Sequence, residues 1–150
     1  MVPEEDKKHC DELVGLDQYH RAIKEADFIL GALPKMVSTD NFFNWDNCFN
    51  KMKEGGVFMN IGRGTTVDED DLAQALNTGR IRGAVLDVFK KEPLVKESKL
   101  WYAPNLFMTP HCADQDPDWL FRSMQIFEKN LLNYVNGKPL NNLIDKNFAY

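Results

Sequence analysis

Four short apolar runs dominate the sequence: FILGAL from Phe28, VFMNIG from Val57, GAVLDVF over Gly83–Phe89 and NLFMT over Asn105–Thr109. None alternates apolar with polar residues, so each reads as a strand covered on both faces. The intervening segments are long enough for helices, which makes the repeating unit strand–helix–strand and the sheet parallel. The predicted architecture is α/β, a Rossmann-like parallel sheet with helices on both faces. In such sheets a ligand sits outside the carboxyl ends of the strands.

The helices carry their own signals. Leu16, Tyr19, Ile23 and Ala26 share one face of a helix over 16–26. Ser38, Thr39 or Asp40 caps a predicted helix running to about Met52, with Phe42, Phe43, Trp45, Phe49 and Met52 as its apolar face. Thr66 or Asp68 caps the next, whose first turn is acidic, whose buried face is Leu72, Ala75 and Leu76, and which Gly79 terminates. From about Pro117 to Tyr134 a long helix sets Leu120, Met124, Phe127, Leu131 and Tyr134 on one stripe, closed by Gly137.

Composition narrows the function. A chain of 150 residues with 43% apolar and 27% charged side chains is globular, one domain in size. Its net charge of −5 argues against nucleic acid as a partner, so the aromatics at 42–49 read as core and not as a base-stacking platform. Three scattered cysteines, Cys10, Cys48 and Cys112, form no disulfide framework, which suits a reducing, cytoplasmic setting. His9 and Cys10 lack a second ligand pair at metal-site spacing, so no metal is expected. The opening residues resemble no leader peptide, and no apolar stretch is long enough to span a membrane.

The polar residues with chemical potential fall at the carboxyl ends of the predicted strands. Arg63 stands between Gly62 and Gly64 just past the second. A guanidinium there can grip a carboxylate through two parallel hydrogen bonds, with the glycines letting a ligand approach the backbone; it can equally be an exposed turn arginine paired with nearby acids. Asp87 ends the third strand, where a carboxylate can accept from an amide or simply serve a turn. Glu92 precedes Pro93 and is held extended. His111 follows Pro110 at the exit of the fourth strand, and a histidine paired with a carboxylate is a general acid/base near neutral pH. Cys112 is a weaker candidate, a nucleophile without an evident oxyanion hole.

Taken together, LP…T at Leu33, Pro34 and Thr39, MKEGGVFMNIGRGTTVDEDDLAQAL, GAVLDVFKKEPL and PNLFMTPH resemble the D-isomer-specific 2-hydroxyacid dehydrogenases, over nearly the whole chain. The resemblance implies hydride transfer between NAD or NADP and C2 of a small 2-keto or 2-hydroxy acid. It implies that Arg63 binds the substrate's carboxylate and carbonyl oxygen, that His111 is the acid/base, that Glu92 orients it, and that Asp87 holds the nicotinamide end. Leu33, Pro34, Thr39, Ile61, Gly62 and Ala113, with Arg63 and His111, fall where the family lines its cofactor pocket.

Two departures qualify this. After His111 the family continues with a small, Gly-containing turn, whereas this chain has Cys112-Ala113-Asp114-Gln115-Asp116. The GxGxxG loop that cradles the pyrophosphate is not among these 150 residues. The expectation is therefore a partial NAD(P)-binding domain, residues 1–150, working as part of a longer enzyme, with a missing N-terminal half or a homodimer as partner. The alternative is a non-catalytic binding or assembly module that keeps the pocket residues. Neither the particular 2-hydroxy acid nor the choice between NAD and NADP follows from the sequence.

Overall fold

In the computed structural model of the protein, residues 9–15 and 17–144 are described. Leu16, predicted on the first helix, lies outside them. The chain divides into two compact units, Met1–Pro110 and His111–Tyr150.

The first unit is built on four parallel strands in sequence order: β1 (Phe28–Gly31), β2 (Val57–Asn60), β3 (Gly83–Leu86) and β4 (Leu106–Met108). Helix α1 (Tyr19–Glu25) precedes β1, and α2 (Glu69–Asn77) connects β2 to β3. Three-residue 3₁₀ turns stand at Val37–Thr39, Phe49–Lys51 and Gly64–Thr66, and a four-residue one at Lys99–Tyr102. The register pairs Ile29 with Phe58, Phe58 with Ala84 and Ala84 with Leu106. That row faces the core, where Ile23 of α1, Phe49, Leu72 and Leu76 of α2, and Leu100 are also buried. The alternate row, Leu30–Met59–Val85–Phe107, lies on the opposite face, and its outer members Leu30 and Phe107 are 54% and 64% exposed.

Helix α2 matches its sequence signals closely. Asp68, one of the two predicted caps, accepts hydrogen bonds from the amides of Asp70 and Asp71 at 3.1 Å, and Glu69, Asp70 and Asp71 place negative charge on the positive end of the dipole. Thr66 is instead buried in the preceding turn. Gly79 takes a left-handed φ of +70° just past the helix, where the amides of Gly79 and Arg80 reach back to the carbonyls of Leu76 and Ala75.

The predicted helix capped by Ser38, Thr39 or Asp40 and running to about Met52 does not form. Asn41 is left-handed (φ +49°), and the Phe43 amide and carbonyl pair with Thr66 and Asp68 beside the α2 cap. The Asn44 side chain then closes the next turn, donating to the Asn41 carbonyl and accepting from the Asn47 amide. The Asn44 side chain thus offers the backbone partners that compete with a helical ladder. The predicted apolar face nonetheless packs in or against the core. Phe43, Phe49 and Met52 are buried, and the Phe43 and Phe49 rings both pack on Phe58 with centroids 5.1 and 5.3 Å away.

The second unit contains α3 (Trp119–Val135), which matches the predicted long helix and is closed by Gly137 at φ +64°. Its apolar stripe, Leu120, Met124, Phe127, Leu131 and Tyr134, is exposed throughout. Among the described residues no helix is long and apolar enough to cross a membrane.

Candidate active site

The register aligns the last residues of the strands, Gly31, Asn60, Leu86 and Met108, in one row. The ladder continues one step beyond, with the amides of Ile61, Asp87 and Thr109 donating to the carbonyls of Gly31, Asn60 and Leu86. Leu33–Pro34, Ile61–Gly62–Arg63 and Asp87 are therefore delivered side by side to the carboxyl edge of the sheet, where an open α/β sheet binds its ligand.

Arg63 is exposed, and its Nη1 donates to the neighbouring Gly62 carbonyl at 2.8 Å. The loop that carries it is tightly held. Sequence reasoning assigned the flanking glycines to ligand approach, but the structure gives them another task. A Cβ at Gly64 would lie 1.9 Å from the carbonyl carbon of Phe89, and one at Gly62 would lie 2.8 Å from the Leu33 carbonyl oxygen. Protein backbone already fills the space beside each glycine. The two glycines let the loops after β1, β2 and β3 pack main chain against main chain.

Asp87 is 2% exposed, and Thr109 Oγ1 donates to its Oδ1 at 2.5 Å, linking the ends of β3 and β4. A carboxylate removed from water in this way requires hydrogen-bond donors. Thr109 was not singled out from the sequence; a hydroxyl directly after a strand, in register with an acid on the neighbouring strand, was the available signal. Glu92, exposed, accepts from the Phe89 amide at 2.9 Å and so closes the turn that packs on Gly64. The Glu92–Pro93 bond is cis. Thr39 closes the loop after β1 by donating to the Pro34 carbonyl at 2.6 Å and accepting from the Met36 amide at 3.0 Å. Its part is to shape the loop that presents Leu33 and Pro34.

His111 and Ala113 open the second unit, both exposed. His111 has a left-handed φ of +52°, a conformation that costs a residue with a side chain on the order of 1 kcal/mol. Cys112 is half-buried, whereas Cys48 is fully buried in the first unit, and burial pushes its thiol up to about 12, far from reactivity at neutral pH. Among the described residues no group of three or more His, Cys, Asp or Glu side chains is placed to hold a metal ion.

One carboxylate anchors the Phe89–Lys90 turn from below. Glu69, at the start of α2, accepts from the Lys90 amide at 2.7 Å. Burial raises its carboxyl above the usual carboxylate range, against the opposing hydrogen bond and charge of Lys90, while Asp70 and Asp68 add to the rise. The folded chain therefore holds this proton more tightly than the unfolded chain. The associated stability is present below the unfolded pKa and is lost as pH rises through the elevated folded value. Glu69→Gln keeps an oxygen acceptor without the charge. Its melting temperature relative to wild type should rise as pH increases from the ordinary carboxylate range through the elevated folded value. Parallel pH profiles of the two proteins in thermal denaturation would refute this assignment.

Comparison with known proteins gives the same family as the motifs. A family model described as "D-isomer specific 2-hydroxyacid dehydrogenase, NAD binding domain" matches residues 2–113. The chain is 40% identical over 123 residues to a Dictyostelium discoideum protein named "Probable 2-ketogluconate reductase", covering 82% of this chain and 36% of that one. It is 37% identical over 103 residues to glyoxylate/hydroxypyruvate reductase A of Citrobacter koseri, covering 69% and 33%. Its fold superposes with a TM-score of 0.84 on the NADPH-dependent glyoxylate/hydroxypyruvate reductase of Sinorhizobium meliloti, solved with NADP and sulfate, at 32% identity over 93% of this chain and 45% of that one. The chain thus spans less than half the length of these relatives. By motif, by the four-stranded parallel sheet and by these matches, it belongs to the D-isomer specific 2-hydroxyacid dehydrogenase family, through that family's NAD binding domain.

Proposed function

We propose that these residues form the nicotinamide end and the substrate grip of an NAD(P)-dependent 2-keto acid reductase, acting reversibly on D-2-hydroxy acids. The observation that carries the proposal is the in-register convergence of Leu33–Pro34, Ile61–Arg63 and Asp87 at one sheet edge. That donor set fits a nicotinamide. Leu33, Pro34 and Ile61 offer apolar surface to a flat ring, and the buried Asp87 offers negative charge to an amide or to the cationic oxidised ring. Thr39, Gly62 and Ala113 complete the assigned lining. GxGxxG is absent from these residues, so the proposal gives them the nicotinamide end of the site and leaves the pyrophosphate to another segment.

Bound NAD(P)H supplies the hydride that reduces C2 of the keto acid. Arg63 contributes a fork of donors that fixes the substrate carboxylate and draws charge toward the carbonyl oxygen. His111 contributes the proton that the developing alkoxide takes up, and removes it in the reverse direction. Glu92 is assigned the carboxylate that steadies the imidazolium form of His111.

The reading is tested by following NADH and NADPH oxidation by the whole polypeptide that carries these residues, with glyoxylate and hydroxypyruvate, the acids named for the Citrobacter and Sinorhizobium relatives. Turnover that saturates with the keto acid is expected. Folded protein that oxidises neither cofactor with any small 2-keto acid would overturn it in favour of a non-catalytic binding module.

A further inference from the structure

We infer that Asn60 and Thr66 are positioning residues for Arg63, fixing the main chain from which its guanidinium reaches the substrate carboxylate; this rests on the function proposed above. Both side chains are completely buried, at 0% exposure. Neither serves only as filler. Thr66 Oγ1 donates to the Arg63 carbonyl at 2.7 Å, Asn60 Nδ2 donates to the same oxygen at 3.2 Å, and the Thr66 amide reaches it at 3.1 Å. Asn60 Oδ1 accepts from the Gly62 amide at 3.1 Å, so a single side chain holds the Ile61–Gly62 peptide ahead of Arg63 and the Arg63–Gly64 peptide after it. Asn60 Nδ2 also lies 3.5 Å from Thr66 Oγ1, which joins the two buried groups.

The arrangement is costly unless the loop's position matters. Burying an amide and a hydroxyl is unfavourable unless every group is paired, and apolar residues of similar volume would fill the same space without that requirement. What the polar pair adds is a fixed place for the Arg63 Cα at the end of β2, while the side chain beyond it stays exposed and able to meet a ligand. A grip on a small acid needs that precision, since an error of about 1 Å in a positioning group can cost on the order of 10²-fold in rate.

The test uses Thr66→Val, which removes the hydroxyl at nearly constant volume, and Thr66→Ser, which retains it, in the whole polypeptide. Thr66→Val should raise KM for glyoxylate about fivefold to tenfold, the scale of one neutral hydrogen bond. KM for NADPH should hold within about twofold, and Thr66→Ser should return KM for glyoxylate to within about twofold of wild type. A merely structural role would instead lower the active fraction, reducing kcat and leaving both KM values alone. That pattern, or a parallel rise in KM for NADPH, would overturn the inference. Should Thr66→Val fail to fold, Thr66→Ala deletes the hydroxyl without setting a methyl group against the Arg63 carbonyl and gives the same measurement. A wild-type protein without keto-acid turnover defeats the proposed function itself, and this inference with it. An active wild type with an unchanged Thr66→Val profile defeats only the inference.

Discussion

Arg63→Ala, made in the whole polypeptide, should reduce glyoxylate with a kcat/KM about 10²–10³-fold below wild type while its melting temperature stays within about 2 °C. The two effects separate because the side chain is exposed and its hydrogen bond is to its own loop, at the Gly62 carbonyl. Little folding energy depends on a contact of that kind. In the proposed role the same group would offer the substrate two charge-assisted hydrogen bonds, each worth roughly 1.5–3 kcal/mol, and each 1.4 kcal/mol is a factor of ten. Losing both therefore costs about two to three decades, allowing for partial replacement by water. Arg63→Lys keeps the charge and loses the fork, so it should recover only part of the deficit. Steady-state kinetics with glyoxylate varied at saturating NADPH decides the matter. A kcat/KM within about threefold of wild type for Arg63→Ala would remove Arg63 from the site.

Gly64→Ala should be the most destabilising of the small substitutions. Its Cβ would sit 1.9 Å from the Phe89 carbonyl carbon, 2.1 Å from the oxygen and 2.5 Å from the Lys90 nitrogen. These are backbone atoms and cannot rotate aside as a side-chain tip would. Overpacking a close-packed interior by one methyl group typically costs 1–3 kcal/mol, and a clash this deep against main chain belongs above that range, at about 4 kcal/mol or more. For a protein of this size that corresponds to a fall of roughly 8–16 °C in melting temperature. Gly79→Ala supplies the control. Nothing lies within 4 Å of its added Cβ, and the penalty comes only from the left-handed φ of +70°, about 1 kcal/mol. Equal losses in thermal denaturation for the two variants would show that the contact at Gly64 relaxes freely.

Much of this architecture was legible in the sequence. The four strands, α1, α2 and α3 all stand where apolar runs, caps and glycines predicted them, because those signals are local. The segment from Asp40 to Met52 was misread because a period of apolar residues says which side chains are buried and not what the backbone does between them. There Asn41 and Asn44 settled the backbone in favour of turns. That Arg63, Asp87 and Glu92 follow strands at the carboxyl edge of the sheet was equally legible. The support beneath them was hidden. Nothing local to Gly64 reveals that Phe89 lies against it 25 positions later, and Asn60 and Thr66 look like ordinary polar residues until burial and hydrogen bonding are known. These contacts are non-local, and a single sequence does not encode them in any window that can be read by eye.

The contact at Gly64 also has a mechanical side. The Phe89–Lys90 peptide that fills the space beside Gly64 belongs to the turn closed by the Glu92 carboxylate on the Phe89 amide, and Glu69 accepts from the Lys90 amide. The arginine loop and the turn closed by Glu92 thus meet main chain against main chain at the Phe89–Lys90 peptide. A shift in the main chain of that turn therefore bears directly on the arginine loop. The spacing between the cation proposed to grip the substrate and the carboxylate proposed to steady the proton donor is then gauged by a missing methyl group. Selection for the activity should act on that gap as stringently as on the charged residues themselves.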